Sequence, residues 1–206
     1  ETEKIYFEQH YGQGKTVFLP LFFQSEEKNE PMPAVESYIL YHGDLSTPEN
    51  RNAALFLMQQ LAPLDANITW MIAGKNPHPN LLKEAIKHPN VNIRANLTEA
   101  EMHKMIQEAA VNFLYTNQIS GVKLKLLNAL HFGGHCIANA AMLAGSGLEN
   151  LCRIMPDNPQ QIISLIRDCF SHPLTAAELH ERQEKMKLIY DNRKNVEILI
   201  RFLISN

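Results

Sequence analysis

Short apolar runs, most of them followed within a few residues by a helix-start signal, constrain this chain more than any other feature. The runs occupy residues 37–42, 68–73, 91–93, 111–115, 135–138 and 151–154. Each is too brief for a buried helix and of a length that suits a strand. Apolar side chains fill them almost throughout, with little alternation, so the expected strands are covered on both faces. Helix signals follow: Thr47-Pro48, Pro79, the capping box Thr98-Glu99-Ala100-Glu101, and Lys123 onward to Gly133-Gly134. Strand–helix alternation with short loops means parallel strands joined by right-handed crossovers. The expected fold class is α/β, a Rossmann-like doubly wound parallel sheet of about six strands flanked by helices. Such sheets bind ligands beyond the carboxyl ends of their strands.

The ends of the chain read differently. Ile5-Tyr6-Phe7 suggests a helix or turn, and residues 16–20 a strand. Residues 24–36 are polar, charged and proline-containing, the composition of an exposed linker. Helices are expected from Pro159, Thr175 and Asp191 onward. Three segments result: residues 1–35 as an extension and hinge, 36–188 as the α/β domain, and 189–206 as a closing helix. The first residue is Glu1, which suggests a longer parent sequence.

A chain of 206 residues suffices for one well-buried core. Its formal net charge of −3 excludes a basic field for a nucleic-acid backbone. Lys185, Lys187, Arg193 and Lys194 alternate with Glu181, Glu184 and Asp191, which reads as a solvated face. No apolar run reaches membrane-spanning length. Cys136, Cys152 and Cys169 show no ligand spacing and suit a reducing, cytoplasmic setting.

Three motifs are decoys. Gly12-Gln13-Gly14-Lys15-Thr16 resembles the end of a phosphate loop, but Gln9 stands where its first glycine belongs. Gly145-Ser146-Gly147 lacks the third glycine of a dinucleotide loop, Asn150 being there. His131, His135 and Cys136 straddle the Gly133-Gly134 turn and share no helical face for a metal.

Three loops at strand ends remain. His42-Gly43-Asp44-Leu45-Ser46 follows the first strand, and Ala73-Gly74-Lys75 closes the second. The third runs from Asn117 through Ser120, Gly121, Val122 and Lys123 to Lys125 and Asn128. There a glycine precedes a helix whose first turn carries two lysines, an arrangement suited to a diphosphate.

At these residues the sequence resembles the C-terminal half of GT-B retaining glycosyltransferases of group 1, bacterial mannosyltransferases among them. Residues 38–45, Ile72-Ala73-Gly74, residues 97–102, and the stretch from Ser120-Gly121 to Asn139 carry the resemblance, which spans about residues 37–170. It implies a nucleoside-diphosphate sugar as donor, transfer with retention, and no metal or other cofactor. The implied donor-binding residues are Gly43, Asp44, Gly74, Lys75, Ser120, Gly121, Val122, Lys123, Lys125 and Asn128. The family's two glutamates fall on Ser120 and Asn128, its phosphate-binding arginine on Asp44, and its lysine near Glu49 or Asn50. Lys75, Lys123 or Lys125 would supply the missing cation. Residues 1–35 would end a preceding N-terminal GT-B domain that holds the site for a glycan or lipid-linked acceptor, and residues 189–206 would cross back to it. The protein would work in the cytoplasm or at the inner face of its membrane, and this portion alone would be inactive. The alternative is a non-catalytic nucleotide-binding or assembly module of the same fold. A sugar-nucleotide epimerase is disfavoured by the missing dinucleotide glycines.

Overall fold

The computed structural model describes residues 2–14, 16–23, 34, 36–118 and 123–205. Two compact units divide the chain: Glu1–Asn29 with Glu184–Asn206, and Glu30–Gln183. In the first unit, α1 (Thr2–Tyr11) carries the early aromatic cluster. Residues 16–23, expected to include a strand, form no regular structure. Pro20 lacks a ladder donor, and its carbonyl and that of Leu21 accept from Asn195 Nδ2 at 3.3 and 3.4 Å. Asn192 brackets Phe23 likewise, receiving its N–H at 3.0 Å and donating to its carbonyl at 2.9 Å. The expected linker lies mostly outside the described residues.

The second unit is built on six parallel strands, as the apolar runs predict. They are β1 (Glu36–Asp44), β2 (Thr69–Lys75), β3 (Val91–Ala95), β4 (Ala109–Leu114), β5 (His135–Ala138) and β6 (Arg153–Ile154), in the order β3-β2-β1-β4-β5-β6. The strand order reverses between β1 and β4, where an open α/β sheet leaves a crevice. β6 keeps only the last two residues of its apolar run, because Glu149–Leu151 closes a 3-10 turn before it. Gly145 and Gly147, at φ 72 and 70, serve the loop leading there.

The helices begin where the capping chemistry places them. Thr47 accepts from Asn50 N to open α2 (Pro48–Phe56), and His78 caps α3 (Pro79–Ala85) through Asn80 N. Thr98 and Glu101 complete the capping box of α4 (Glu99–Glu108). α5 (Leu124–Phe132) starts after Lys123, without a side-chain cap. A short α6 (Ala140–Leu143) follows β5, and Asn158 caps α7 (Pro159–Ser171). α8 (Ala176–Ile189) and α9 (Asn192–Ser205) end the chain. Midway along α8, buried Arg182 donates to the carbonyls of Gly133 and Gly134.

Alternation along β1 divides the core. Ile39 and Tyr41 point to one face, packing with Ala53 and Ala54 of α2, Leu57 just beyond it, and Ile162 and Ile166 of α7. Tyr38 and Leu40 point to the other, with Ile106 and Met102 of α4 and Phe132 of α5. His42 shares the parity of that second set. Among the described residues, no helix is long and apolar enough to cross a membrane, and the three cysteines are unbridged.

Candidate functional site

Strands β1 and β2 end in register, Gly43 opposite Gly74 and Asp44 opposite Lys75. Both glycines are required by close approach rather than by backbone angle. A Cβ on Gly74 would overlap the Gly43 carbonyl oxygen, and one on Gly43 would lie 2.8 Å from Asn50 Cγ. Leu45 N donates to Lys75 O, and Asn96 N to Gly74 O, both at 2.9 Å. The loops after β1, β2 and β3 are thus tied together by backbone, which fixes the rim of whatever lies beyond them.

Beyond them is a cleft of about 460 Å³, within the size range of small-molecule sites. Gly43, Asp44, Gly74 and Lys75 form its strand edge. Leu97, Met102 and Ile106 give it an apolar wall, and Thr98 and Glu99 stand at the start of α4. Asn128 enters from α5, and His103, stacked on Phe132 at 4.8 Å, from α4.

His42 completes the lining and is 8% exposed. Its Nε2 is buried with no hydrogen-bond partner among the described residues. Such an atom costs about 1–3 kcal/mol and calls for an explanation. Burial first, then the charges of Lys125 and His103, push its pKa down to about 4, so the ring is neutral at pH 7.

On the other side of Gly43 the side chains of Tyr41, Asn50, Glu49, Thr116 and Lys125 are all engaged. Tyr41 Oη donates to Asn50 Oδ1 at 3.1 Å. Lys125 Nζ reaches the same oxygen at 2.9 Å and stands 5.3 Å from the Tyr41 ring centroid. Asn50 Nδ2 donates to Asp44 O at 3.0 Å, and Thr116 Oγ1 donates to Glu49 Oε1. Burial lowers the Lys125 pKa to about 8, with Glu49 opposing and Lys123 reinforcing that shift. Burial and then Glu49 raise Tyr41. The lysine therefore spans from α5, whose Phe132 packs on one face of the sheet, to α2 on the other. Asp44 turns its carboxylate into its own loop, accepting from Ser46 N at 3.0 Å and Ser46 Oγ at 2.7 Å. Those hydrogen bonds lower its pKa.

Of the residues expected from the sequence, Gly43, Asp44, Gly74, Lys75 and Asn128 line one cleft. Lys125 stands at Asn50, and Lys123 precedes α5, its carbonyl accepting from Leu126 N at 2.9 Å. Ser120, Gly121 and Val122 lie outside the described residues. Sequence reasoning missed His42, His103, Met102 and the Asn50 junction. The signal for His42 was its parity with Tyr38 and Leu40, which marks a polar residue on an apolar face. Among the described residues no three His, Cys, Asp or Glu side chains gather as a metal site. His135 instead makes a 2.8 Å hydrogen bond from Nε2 to His172 O.

A parallel sheet in this order, with a ligand-sized cleft beyond its carboxyl edge, defines a Rossmann-like domain of the kind found in GT-B glycosyltransferases. Over residues 36–172 the sequence matches the family described as Glycosyl transferases group 1, and the chain belongs to that family. Among solved structures it is similar to a variant of S. aureus TarM in complex with Fondaparinux, alpha-GlcNAc-glycerol and UDP. That likeness has TM-score 0.73 and 15% identity, over 98% of this chain and 42% of that one. AviGT4, a glycosyltransferase involved in Avilamycin A biosynthesis, gives TM-score 0.58 and 10% identity over 84% of this chain and 51% of that one. A UDP-forming alpha,alpha-trehalose-phosphate synthase from Burkholderia xenovorans, in complex with glucose-6-phosphate, gives 0.56 and 12% over 82% and 43%. At these identities the likeness is one of fold. The chain spans between 42% and 51% of the length of these three structures. No curated protein matches the sequence.

Proposed function

We propose that the cleft holds a nucleoside-diphosphate sugar, and that this chain is the donor-binding half of a metal-independent, retaining glycosyltransferase. The observation that carries the reading is the cleft edge, where Gly43, Asp44, Gly74, Lys75 and Asn128, five of the residues the resemblance implies, line one cavity. The resemblance expects a phosphate-binding lysine near Glu49 or Asn50, and an ammonium from α5 rests on the Asn50 side chain. The apolar wall of Leu97, Met102 and Ile106 suits a nucleobase, and Asn128 suits its ribose. As the bond from the anomeric carbon to the diphosphate oxygen breaks, its electron pair goes to the leaving diphosphate. A new bond forms to an acceptor hydroxyl oxygen, whose proton leaves with the diphosphate. A cation positioned at that charge contributes about 3 kcal/mol in other enzymes. The acceptor site belongs to an N-terminal GT-B domain, so these 206 residues bind donor without turnover. A cytoplasmic setting suits both the donor and the unbridged thiols.

Titration calorimetry tests the reading. UDP comes first, since the TarM variant is in complex with it and the trehalose-phosphate synthase is UDP-forming; GDP and ADP follow. The expected result is weak, saturable binding that survives EDTA and falls about tenfold in Lys125→Met. Absence of binding by all three at millimolar concentration would overturn it. The second reading, a non-catalytic module, is favoured by Asp44 and Asn128 at the family's arginine and glutamate positions. It would then stand.

A further inference from the structure

His42 makes none of the proposed donor contacts, yet it is the unsatisfied buried group in the cleft lining among the described residues. It is 8% exposed, lines the cavity, and keeps a buried ring nitrogen without a partner among the described residues. Its neighbours on the same face of the sheet are Leu40, Met102 and Ile106. An apolar side chain would fill that position with no desolvated nitrogen, so packing alone does not account for a histidine. It directly precedes Gly43 along β1 and shares the cavity with Asn128. A ligand with its diphosphate over Gly43 and its base against Leu97 and Met102 would set its ribose between them, beside His42.

We propose that His42 is a specificity residue: Nε2 hydrogen-bonds a ribose hydroxyl of the bound nucleoside diphosphate, next to Asn128. The cleft thereby selects ribonucleotides over their deoxy counterparts. The proposal rests on the donor-binding reading and names the part of the ligand this residue recognises. A hydroxyl is the matching chemistry because it both donates and accepts, and so suits either tautomer of a neutral imidazole. A phosphate would call for a cation, and the ring is uncharged at neutral pH. A carboxylate at position 128 would accept from both ribose hydroxyls by itself. Asparagine has one acceptor oxygen, and the histidine nitrogen supplies the other contact.

The experiment uses the 206-residue chain and UDP, GDP and ADP, followed by the 2′-deoxy and 3′-deoxy forms of whichever binds best. The unsubstituted protein is expected to favour the ribonucleotide over one deoxy form by about five- to tenfold, the worth of one neutral hydrogen bond. His42→Phe should bring that ratio close to one while still binding the deoxy form. His42→Asn should keep part of the preference. Nitrogen NMR of the unsubstituted protein covers the case in which a variant fails to fold: the His42 Nε2 resonance should move with the ribonucleotide and stay with the discriminated deoxy form. An unchanged ratio in His42→Phe overturns the proposal, as does equal binding of ribo and both deoxy forms by the unsubstituted chain. Binding of no nucleotide at all overturns the donor-binding reading and takes this proposal with it. Loss of affinity in Lys125→Met together with an unchanged ratio in His42→Phe leaves the donor reading standing and sinks this one alone.

Discussion

Tyr41 and His42 are neighbours on β1, both buried, both polar, and they meet opposite fates. Tyr41 faces α2 and donates its hydroxyl to Asn50, which also receives the Lys125 ammonium. His42 faces α4 and lines a cavity with its Nε2 unsatisfied. The closed side is a network in which each polar group answers another, and such networks hold geometry. The open side carries a ring nitrogen that no group among the described residues satisfies. A one-residue step along a strand thus separates the scaffold of the site from its recognition surface. Gly43 and Gly74 are the seam between the two.

The most forceful way to break this comparison is to wedge the seam apart. Gly74→Ala places a methyl group against the Gly43 carbonyl, with Leu45 Cγ 2.9 Å away, and the carbonyl belongs to backbone that cannot swing aside as a side chain could. We expect a loss of about 3 kcal/mol or more in urea denaturation, or no folded protein. Gly145→Ala is the control: at φ 72 with nothing within 4 Å of the new Cβ, it costs about 1 kcal/mol through backbone conformation alone. Equal costs for the two would show that the strand ends have room to move apart, and the seam would lose its meaning.

The open side has an acid signature of its own. His42 has a folded pKa of about 4 against 6.5 for the free side chain. Between those values the unfolded chain binds the proton and the folded chain does not, so stability rises with pH across this window. Its contribution is full above pH 6.5 and lost as pH falls towards 4. The largest possible size is about 3 kcal/mol. His42→Phe should flatten this part of the stability profile relative to the unsubstituted chain. Parallel profiles for the two proteins between pH 4 and 6.5 would mean that the imidazole is hydrated and not held neutral by burial.

Much of this was legible beforehand, for reasons that differ by region. The strands of the second unit announce themselves because burial on both faces demands unbroken apolar runs, and their helices because Thr47, Thr98 and Asn158 cap them locally. The segment at residues 16–20 misled because Val17-Phe18-Leu19 has strand composition, while its carbonyls go to Asn195 across the sequence. Gly43, Gly74 and Asn128 could be gathered from position at strand ends and from resemblance. Lys125 could be nominated but not located, since its bond to Asn50 joins residues 75 apart. His42 was passed over because it closes an apolar strand, where a histidine reads as the start of the glycine loop or as core. Only the parity of β1, together with knowledge of which helix covers which face, turns it into a cavity residue.

The smallest effect tests the closed side. Tyr41→Phe removes one hydroxyl that donates to Asn50 Oδ1 at 3.1 Å and leaves the ring beneath Lys125. The Asn50 oxygen retains the lysine at 2.9 Å, so no acceptor is stranded and the loss should be that of one net hydrogen bond, about 1 kcal/mol in urea denaturation. Nucleotide affinity and the ribose preference should change little, because the substitution removes no cation and leaves the Lys125–Asn50 contact in place. A large drop in ribose preference would show that the two faces of β1 communicate through Lys125, whose charge already reaches His42. In that event the tyrosine belongs to the recognition surface as much as the histidine does, and the division between adjacent residues gives way to a single layer running from α2 to α4.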